Sequence, residues 1–238
     1  MLQPGCFLAL IAAPIVLGAT AVRAADSGIE FSDTLEQRLL ACAACHGNQG
    51  EGIRRNEYYP RIAGKPAEYL YRQLASFRDG RRTYPLMVYF VRYSSDEYLR
   101  EVATYYSKLQ PPFPTPIPPS ATKDVLAHGE ALVRKGDPVK GIPACAACHG
   151  MALTGMLPGI PGLVGLDPNY LSAQIGAWQR GVRHADEPDC MAKIAAKLNG
   201  PDTSAITAYL ATQPGAPSTG PVLDTKQKLP TACGSQPR

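Results

Sequence analysis

Charged residues are scarce in this chain of 238 residues, where Asp, Glu, Lys and Arg together make up 18%. The formal net charge is only +4, and no concentrated basic patch stands out, which argues against a nucleic-acid binder. No long hydrophobic run is present either, because the apolar stretch from Cys6 to Ala19 covers only about 14 residues, too few to span a bilayer comfortably. Histidine is rare, with four in the whole chain, so candidate metal ligands can be considered one by one.

The apolar N-terminal stretch predicts a secretory signal peptide over residues 1–24. Val22-Arg23-Ala24 provides a small-residue cleavage site, so the mature chain is expected to begin at Ala25. The segment from Met1 to Gly5 has no Lys or Arg, which is unusual for a signal peptide, and an uncleaved anchor remains the alternative. The expected localisation is the periplasm.

One heptapeptide occurs twice, at residues 41–47 and again at residues 144–150. Its core, C-x-x-C-H, is the attachment sequence of a c-type haem. Two thiols at this spacing can form thioethers with the two vinyl groups of one porphyrin, and the histidine that follows can supply an axial nitrogen to the iron. The sequence therefore predicts two covalently bound haem c groups. The thioether residues are Cys42, Cys45, Cys145 and Cys148, and the axial histidines are His46 and His149.

Two other kinds of site also use C-x-x-C pairs. A zinc ribbon places its pairs about 15–20 residues apart, whereas the two pairs here are separated by 103 residues. Zinc would also leave the histidine of each copy without a clear role. A thioredoxin-like dithiol would not call for a histidine directly after the second cysteine. The spacing therefore favours haem over both alternatives.

The duplication extends beyond the heptapeptide. The pattern from Tyr69 to Gly80 returns 101 residues later, from Tyr170 to Gly181. Between the copies, residues 110–120 are so rich in proline that they favour an extended, semi-rigid spacer. The predicted organisation is domain 1 at residues 25–109, a linker at 110–121, domain 2 at 122–212 and a C-terminal tail at 213–238.

Short helices without strand pairs are predicted in both halves. In the first half they cover residues 33–44, a segment opened by Pro66 and ended by Gly80, and a segment with a capping box at Ser94-x-x-Glu97. In the second half they cover residues 123–135, 168–180 and 201–211, with another turn or two near residues 191–198. The fold class is therefore all-α.

Methionine is the expected sixth ligand, because a thioether opposite the histidine raises the potential of an electron-transfer haem. Met87 is the only methionine of the first half, and Met191 occupies the matching position 104 residues later. Met151 and Met156 are expected in the haem pocket or in loops. The alternatives are bis-histidine ligation through His184, or methionines that only fill the core. His184 and His128 are expected at the surface.

These motifs resemble the dihaem cytochrome c4 family over roughly residues 32–109 and 122–212. The resemblance rests on the doubled C-A-A-C-H-G, the Gln-x-x-x-[Phe/Trp]-x-x-Gly helix, the methionine after it, and the run from Phe77 to Arg82. It implies two tandem cytochrome c-type helical domains, each wrapped around one haem and packed face to face. It also implies that the carbonyls of Pro60 and Pro161 orient the proximal imidazoles.

The expected function is that of a periplasmic carrier that shuttles electrons between respiratory redox proteins, and not an enzyme. The family resemblance implies a quinol-oxidising complex or a dehydrogenase as donor and a terminal oxidase as acceptor. No nucleic acid or small-molecule substrate is expected, and membrane contact is expected only through partners. One alternative is an electron-transfer subunit of a dehydrogenase complex. Another is a dihaem enzyme, such as a peroxidase or a thiosulfate-oxidising protein, which would need a vacant or labile ligand at one iron.

Two features depart from the resemblance, namely the segment Asp186-Glu187-Pro188-Asp189-Cys190 before Met191 and a Pro/Gly-rich tail that continues from Ala211 to Arg238. Cys190 and Cys233 have no assigned role, and in an oxidising compartment they can form a disulfide that holds the tail beside Met191; the alternative is a pair of partly buried free thiols. Several arginines also surround the first haem motif, where they can neutralise haem propionates, dock an acidic partner or remain solvated. They are Arg54, Arg55, Arg61, Arg81 and Arg82.

Overall fold

The computed structural model describes residues 33–215, 220–222 and 228–236. The predicted signal peptide, residues 1–24, lies outside these residues. The chain from Asp33 onward forms one compact unit, while the predicted boundary between two domains remains a prediction. Within the described part of the chain, no helix combines the length and the apolar character needed to cross a bilayer.

Four helices are described in the first half, from Asp33 onward: α1 Leu35–His46, α2 Ala67–Arg78, α3 Pro85–Val91 and α4 Asp96–Lys108. The predicted capping box at Ser94 is wrong by one residue. Ser95 caps α4, and its hydroxyl accepts a hydrogen bond from the Tyr98 amide at 3.2 Å. Ser94 instead belongs to the turn that ends α3, where its amide donates to the Val91 carbonyl at 3.0 Å.

Five helices and one short hairpin are described in the second half. The helices are α5 Lys123–Arg134, α6 Ala146–His149, α7 Pro168–Gln179, α8 Cys190–Ala195 and α9 Gly200–Ala211, and strands β1 Gly155–Met156 and β2 Ile160–Pro161 pair antiparallel. The sequence did not predict this strand pair. Gly155 makes it possible, because its φ is 101° and a Cβ there would lie 2.6 Å from the Ile160 carbonyl oxygen. The fold nevertheless remains essentially all-α.

Each half has its own apolar core. In the first half α2 packs on α4, where Leu70 meets Val102 and Tyr106 in one cluster. In the second half α5 packs closely on α9, because Gly129 allows an approach at which a Cβ would lie 2.1 Å from the Ala205 carbonyl oxygen. This close crossing buries a cluster that includes Leu132 and Ile206.

Residues 110–121 contain neither helix nor strand, as their proline content predicts. Arg61 anchors this segment through hydrogen bonds and a ring contact. Its guanidinium donates to the Pro111 carbonyl at 2.6 Å and to the Pro112 carbonyl at 3.0 Å, and it lies 4.3 Å from the centre of the Phe113 ring. Phe113 in turn packs against the core of the second half. The proline-rich segment is therefore anchored to both halves.

Candidate haem centres

The first C-x-x-C-H motif opens onto a cavity of about 440 Å³. Helix α1 carries Cys42, Cys45 and His46 to one wall of this cavity, and α3 brings Met87 to its lining. The structure thus brings together the two thiols, the imidazole and the thioether that the sequence singled out in this half. The volume lies in the range of cofactor-sized sites, about 300–1,000 Å³.

The imidazole of His46 is fixed by a backbone carbonyl. Pro60 accepts a hydrogen bond from Nδ1 at 2.8 Å, which leaves Nε2 unprotonated and able to bind a metal. Burial lowers the pKa of His46, with a smaller lowering from the charge of Arg82, and the bond to Pro60 opposes them only in part. The ring is therefore held neutral, as an iron ligand must be.

The second motif repeats this arrangement in α6. The Pro161 carbonyl accepts a hydrogen bond from Nδ1 of His149 at 2.7 Å. Burial lowers the pKa of His149, and the charge of Lys65 lowers it further against the opposing hydrogen bond. Met191 lies half-buried in α8, a helix that packs on α7.

The thiols of the two motifs do not have the character of a redox dithiol. Burial raises the pKa of Cys145 to about 11 and also raises that of Cys42, whereas catalytic C-x-x-C pairs have a depressed pKa. A structural zinc site is not supported either. Across residues 33–215, 220–222 and 228–236, no group of three or more His, Cys, Asp or Glu side chains could hold a metal ion.

The charge of the cavity lining fits the acidic edge of a haem. Six cationic side chains line it, against one carboxylate, that of Glu57. Because buried cations are costly without compensating charge, a group with two carboxylates per ring is a suitable occupant. The cations are Arg38, Arg61, Lys65, Arg82, Arg180 and Arg183.

The other candidate ligands lie elsewhere. Met151 is 72% exposed, and Met156 is buried in β1. His184 is exposed, and its Nε2 lies 2.8 Å from the Gly181 carbonyl oxygen. The Nε2 of His128 lies 2.9 Å from the Asp202 carboxylate. Both spare histidines thus already have hydrogen-bond partners, and this weakens the bis-histidine alternative.

The tail is fastened beside Met191. Cys190 and Cys233 form a disulfide with their Cα atoms 4.9 Å apart. The Gly234 amide donates to the Pro188 carbonyl at 3.0 Å, and Arg72 donates to the Gly234 carbonyl at 3.0 Å. The segment around the second methionine is therefore braced by the tail.

The arginines near the first motif divide into two groups. Arg61 and Arg82 are buried and line the cavity, whereas Arg54 and Arg55 are exposed and Arg81 pairs with Asp186. Four cavity cations escaped the sequence reasoning, Arg38, Lys65, Arg180 and Arg183, and of these Lys65 and Arg183 are buried. Lys65 is buried, donates to the Gly162 carbonyl at 2.9 Å, and has its pKa lowered to about 7 by burial and by Arg61. The sequence repeat could have identified Arg183, because Arg183 matches Arg82 at the repeat distance of 101 residues.

Short helices around a C-x-x-C-H cavity, with a carbonyl behind the imidazole, define a c-type cytochrome. In agreement, the family model for cytochrome c matches residues 36–104. The thiosulfate dehydrogenase electron acceptor of Thiomonas intermedia is 41% identical over 75% of this chain and 81% of that protein. Cytochrome c4 of Pseudomonas aeruginosa is 32% identical over 74% of this chain and 85% of that protein.

A solved structure shares the architecture. The thiosulfate dehydrogenase TsdBA of Marichromatium purpuratum superposes with a TM-score of 0.67 and 32% identity, covering 75% of this chain but only 40% of that one. The chain belongs to the dihaem cytochrome c4 family. It is an electron-transfer cytochrome that carries covalently bound haem c at the motifs of residues 42–45 and 145–148.

Proposed function

We propose that this cytochrome is the periplasmic electron acceptor of a thiosulfate dehydrogenase and passes the electrons on to a terminal oxidase. The observation that carries the choice of donor is the 41% identity to a protein named as such an acceptor, over most of both chains. A second relative with the same name, from Stutzerimonas stutzeri, is 35% identical over 72% of this chain. A quinol-oxidising complex remains the alternative donor.

In this proposal His46 and Met87 would hold the haem iron of the first half, and His149 and Met191 would hold that of the second. The four cysteines of the two motifs would hold the rings as thioethers. When bound, a haem iron supplies reversible one-electron exchange between its ferric and ferrous states. The protein's own part is to fix the imidazoles through Pro60 and Pro161, to keep them neutral by burial, and to supply cations around the acidic edge of the group.

A carrier without catalytic activity fits this ligand set. A dihaem enzyme needs an open or labile position at one iron, whereas each half offers a methionine at the same repeat position. The cavity lining that contains Met87 together with His46 supports two filled axial sites in the first half. Two one-electron sites in one chain let one haem accept while the other delivers.

Rapid mixing tests the proposed donor. The oxidised cytochrome is mixed with thiosulfate, with and without a catalytic amount of purified thiosulfate dehydrogenase, and haem reduction is followed optically. We expect reduction of both haems only when the dehydrogenase is present. Reduction by thiosulfate alone would indicate an enzyme, and no acceleration by the dehydrogenase would reject it as donor.

A further inference from the structure

The C-terminal tail returns to the second half and pairs with strand β1. The Val222 amide donates to the Gly155 carbonyl at 3.0 Å, and the Leu157 amide donates to the Val222 carbonyl at 2.9 Å. The Thr154 hydroxyl adds a third hydrogen bond, to the Gly220 carbonyl at 3.0 Å. This part of the tail therefore supports β1 as a parallel partner, in addition to the antiparallel partner β2.

The contact with β1 leads to the histidine of the second motif. Gly155, which accepts from Val222, lies opposite Pro161 in the register of the hairpin. The Pro161 carbonyl in turn accepts the hydrogen bond from Nδ1 of His149 at 2.7 Å. The tail is thus connected, through the two strands of the hairpin, to the carbonyl that orients the imidazole.

Further along, the tail reaches the helix that carries Met191. Cys233 forms its disulfide with Cys190, the residue directly before Met191. The Gly234 amide donates to the Pro188 carbonyl at 3.0 Å, and a Cβ at Gly234 would overlap the carbonyl oxygens of residues 186 and 187. The tail is therefore packed closely against the loop before α8 and is covalently bound to the first residue of that helix.

The same stretch of tail also contacts the hairpin. A Cβ at Gly159, in the turn between β1 and β2, would overlap the carbonyl oxygen of Ser235. Only two residues separate Ser235 from the disulfide at Cys233. One short segment thus contacts both the hairpin behind His149 and the loop before Met191, so it joins the supports of the two candidate ligands.

The first half provides an internal reference for this arrangement. Its described cysteines, Cys42 and Cys45, form no disulfide. Helix α4 is followed by the proline-rich linker, which continues to α5 in the second half. The tail thus acts on one candidate haem site only, and the other site shows how the same ligand set behaves without it.

We propose that the tail holds the two axial ligands of the second haem in place together and keeps that iron closed to external ligands. The proposal rests on ligation by His149 and Met191, as proposed above. An imidazole and a thioether on opposite faces of one ring stay bound only while the elements that carry them keep a fixed separation, and the tail links those elements. Val222 and Cys233 are then positioning residues, because each acts through an element that carries or supports a ligand.

Carbon monoxide tests this proposal, because it binds a ferrous haem whose methionine has dissociated. The reduced holoprotein is mixed with carbon monoxide, and binding is followed optically in Val222→Pro and in the double variant Cys190→Ser, Cys233→Ser. Proline removes the amide that donates to Gly155, and the double variant removes the covalent link to α8. Either change should raise the binding rate at one of the two haems by about 10–100-fold, the effect typical of losing an outer support of a metal ligand. The rate at the other haem should stay the same.

The control is Val139→Pro, which also removes an amide donor in the second half. The Val139 amide donates to the Asp137 carboxylate at 3.0 Å, but Val139 is 98% exposed in a turn away from the tail contacts described above. This variant should bind carbon monoxide at the wild-type rate. If Val222→Pro fails to retain two haems, Thr154→Val replaces it, because this change removes only the hydroxyl that donates to Gly220, and the same increase is expected.

Two results would overturn the role of the tail. One is a rate that rises in the disulfide variant alone, because the tail would then act only on α8 and not on both ligands. The other is a rate that rises at both haems or matches the control. Rapid binding of carbon monoxide at the second haem of the wild-type protein would instead reject the proposed ligation by Met191, so the two failures can be told apart.

Discussion

The two helices that carry the matched methionines, α3 and α8, have diverged in opposite directions. Around Met87, α3 presents exposed aromatic rings, with Tyr89 61% and Phe90 50% exposed. Around Met191, α8 begins at a cysteine that the C-terminal tail fixes through a disulfide. The duplicated sequence thus keeps the same candidate ligand in two different surroundings. In the first half, Met87 lies on a helix with exposed aromatic side chains. In the second half, Met191 lies next to a disulfide that ties its helix to the C-terminal tail.

Of the changes that test this comparison, replacing one methionine at a time should have the largest effect on the haem spectrum and on the reduction potentials. Met87→Ala should remove the sixth ligand of the first haem only, and Met191→Ala that of the second only. In each variant, half of the methionine–iron charge-transfer band should disappear and one potential should fall by on the order of 0.1 V or more, within the range that axial ligands control. Optical titration measures both quantities.

The control for this experiment is Met151→Ala, because Met151 is 72% exposed. It should leave the band and both potentials unchanged. A full-intensity band in either Met87→Ala or Met191→Ala would show that the sulfur in that half comes from another residue.

Removing the brace should affect only the second half. The double variant Cys190→Ser, Cys233→Ser loses a disulfide that closes 43 residues of chain, and such a loss costs about 2–4 kcal/mol of unfolding free energy. Denaturant titration followed at the methionine–iron band should show the Met191 component disappearing first. Ser235→Ala serves as control, since the Ser235 Oγ lies 3.2 Å from the Cys233 sulfur but takes no part in the disulfide. Simultaneous loss of both components would contradict a local brace.

The last helices of the two halves also differ in how they begin. In α9, the buried Asp202 carboxylate accepts from Lys140 Nζ at 2.8 Å and from the Asn199 amide at 3.2 Å. In α4, the exposed Ser95 provides only a side-chain cap. Asp202→Asn should therefore cost about 1.5–3 kcal/mol, and Ser95→Ala about 0.5–1 kcal/mol. Urea unfolding of both variants measures the difference, and equal costs would contradict the contrast.

Acid should reduce the stabilisation that Asp202 provides. Burial alone would raise the pKa of Asp202, but Lys140, His128 and Asn199 outweigh it, so the folded pKa lies below the ordinary value of 3.8. The stabilisation is complete above that value and is lost as the pH falls through the folded pKa. The difference in unfolding free energy between wild type and Asp202→Asn should shrink on acidification from pH 6 to pH 3. A free-energy difference that grows over this pH range would contradict a lowered pKa for Asp202 in the folded protein.

The sequence predicted most helices because their signals are local. The positions of α5, α7 and α9 follow from apolar periodicity and end within a residue or so of the predicted bounds. The cap of α4 was misplaced, because two adjacent serines offer the same hydroxyl and only the turn after α3 decides between them. The β1–β2 hairpin was missed, since two residues per strand are too few for an alternating pattern.

The candidate haem sites were more predictable than their surroundings. Two thiols and a histidine on one turn are dictated by the chemistry of attachment, so the motif alone identifies them. Arg82 and Arg183 form an antiparallel bridge between the two halves. The sequence of one repeat unit cannot predict this bridge, because it depends on how the two halves pack together. The repeat distance held the clue, because both arginines follow the matched glycine by two residues.

Mapping the haem peptides of the purified protein tests the account most directly. The protein is extracted with acidified organic solvent, digested, and analysed by mass spectrometry. We predict two peptides that retain haem, one containing Cys42 and Cys45 and the other containing Cys145 and Cys148. Free thiols in either peptide, or loss of the pigment to the solvent, would contradict a covalently bound haem in each half.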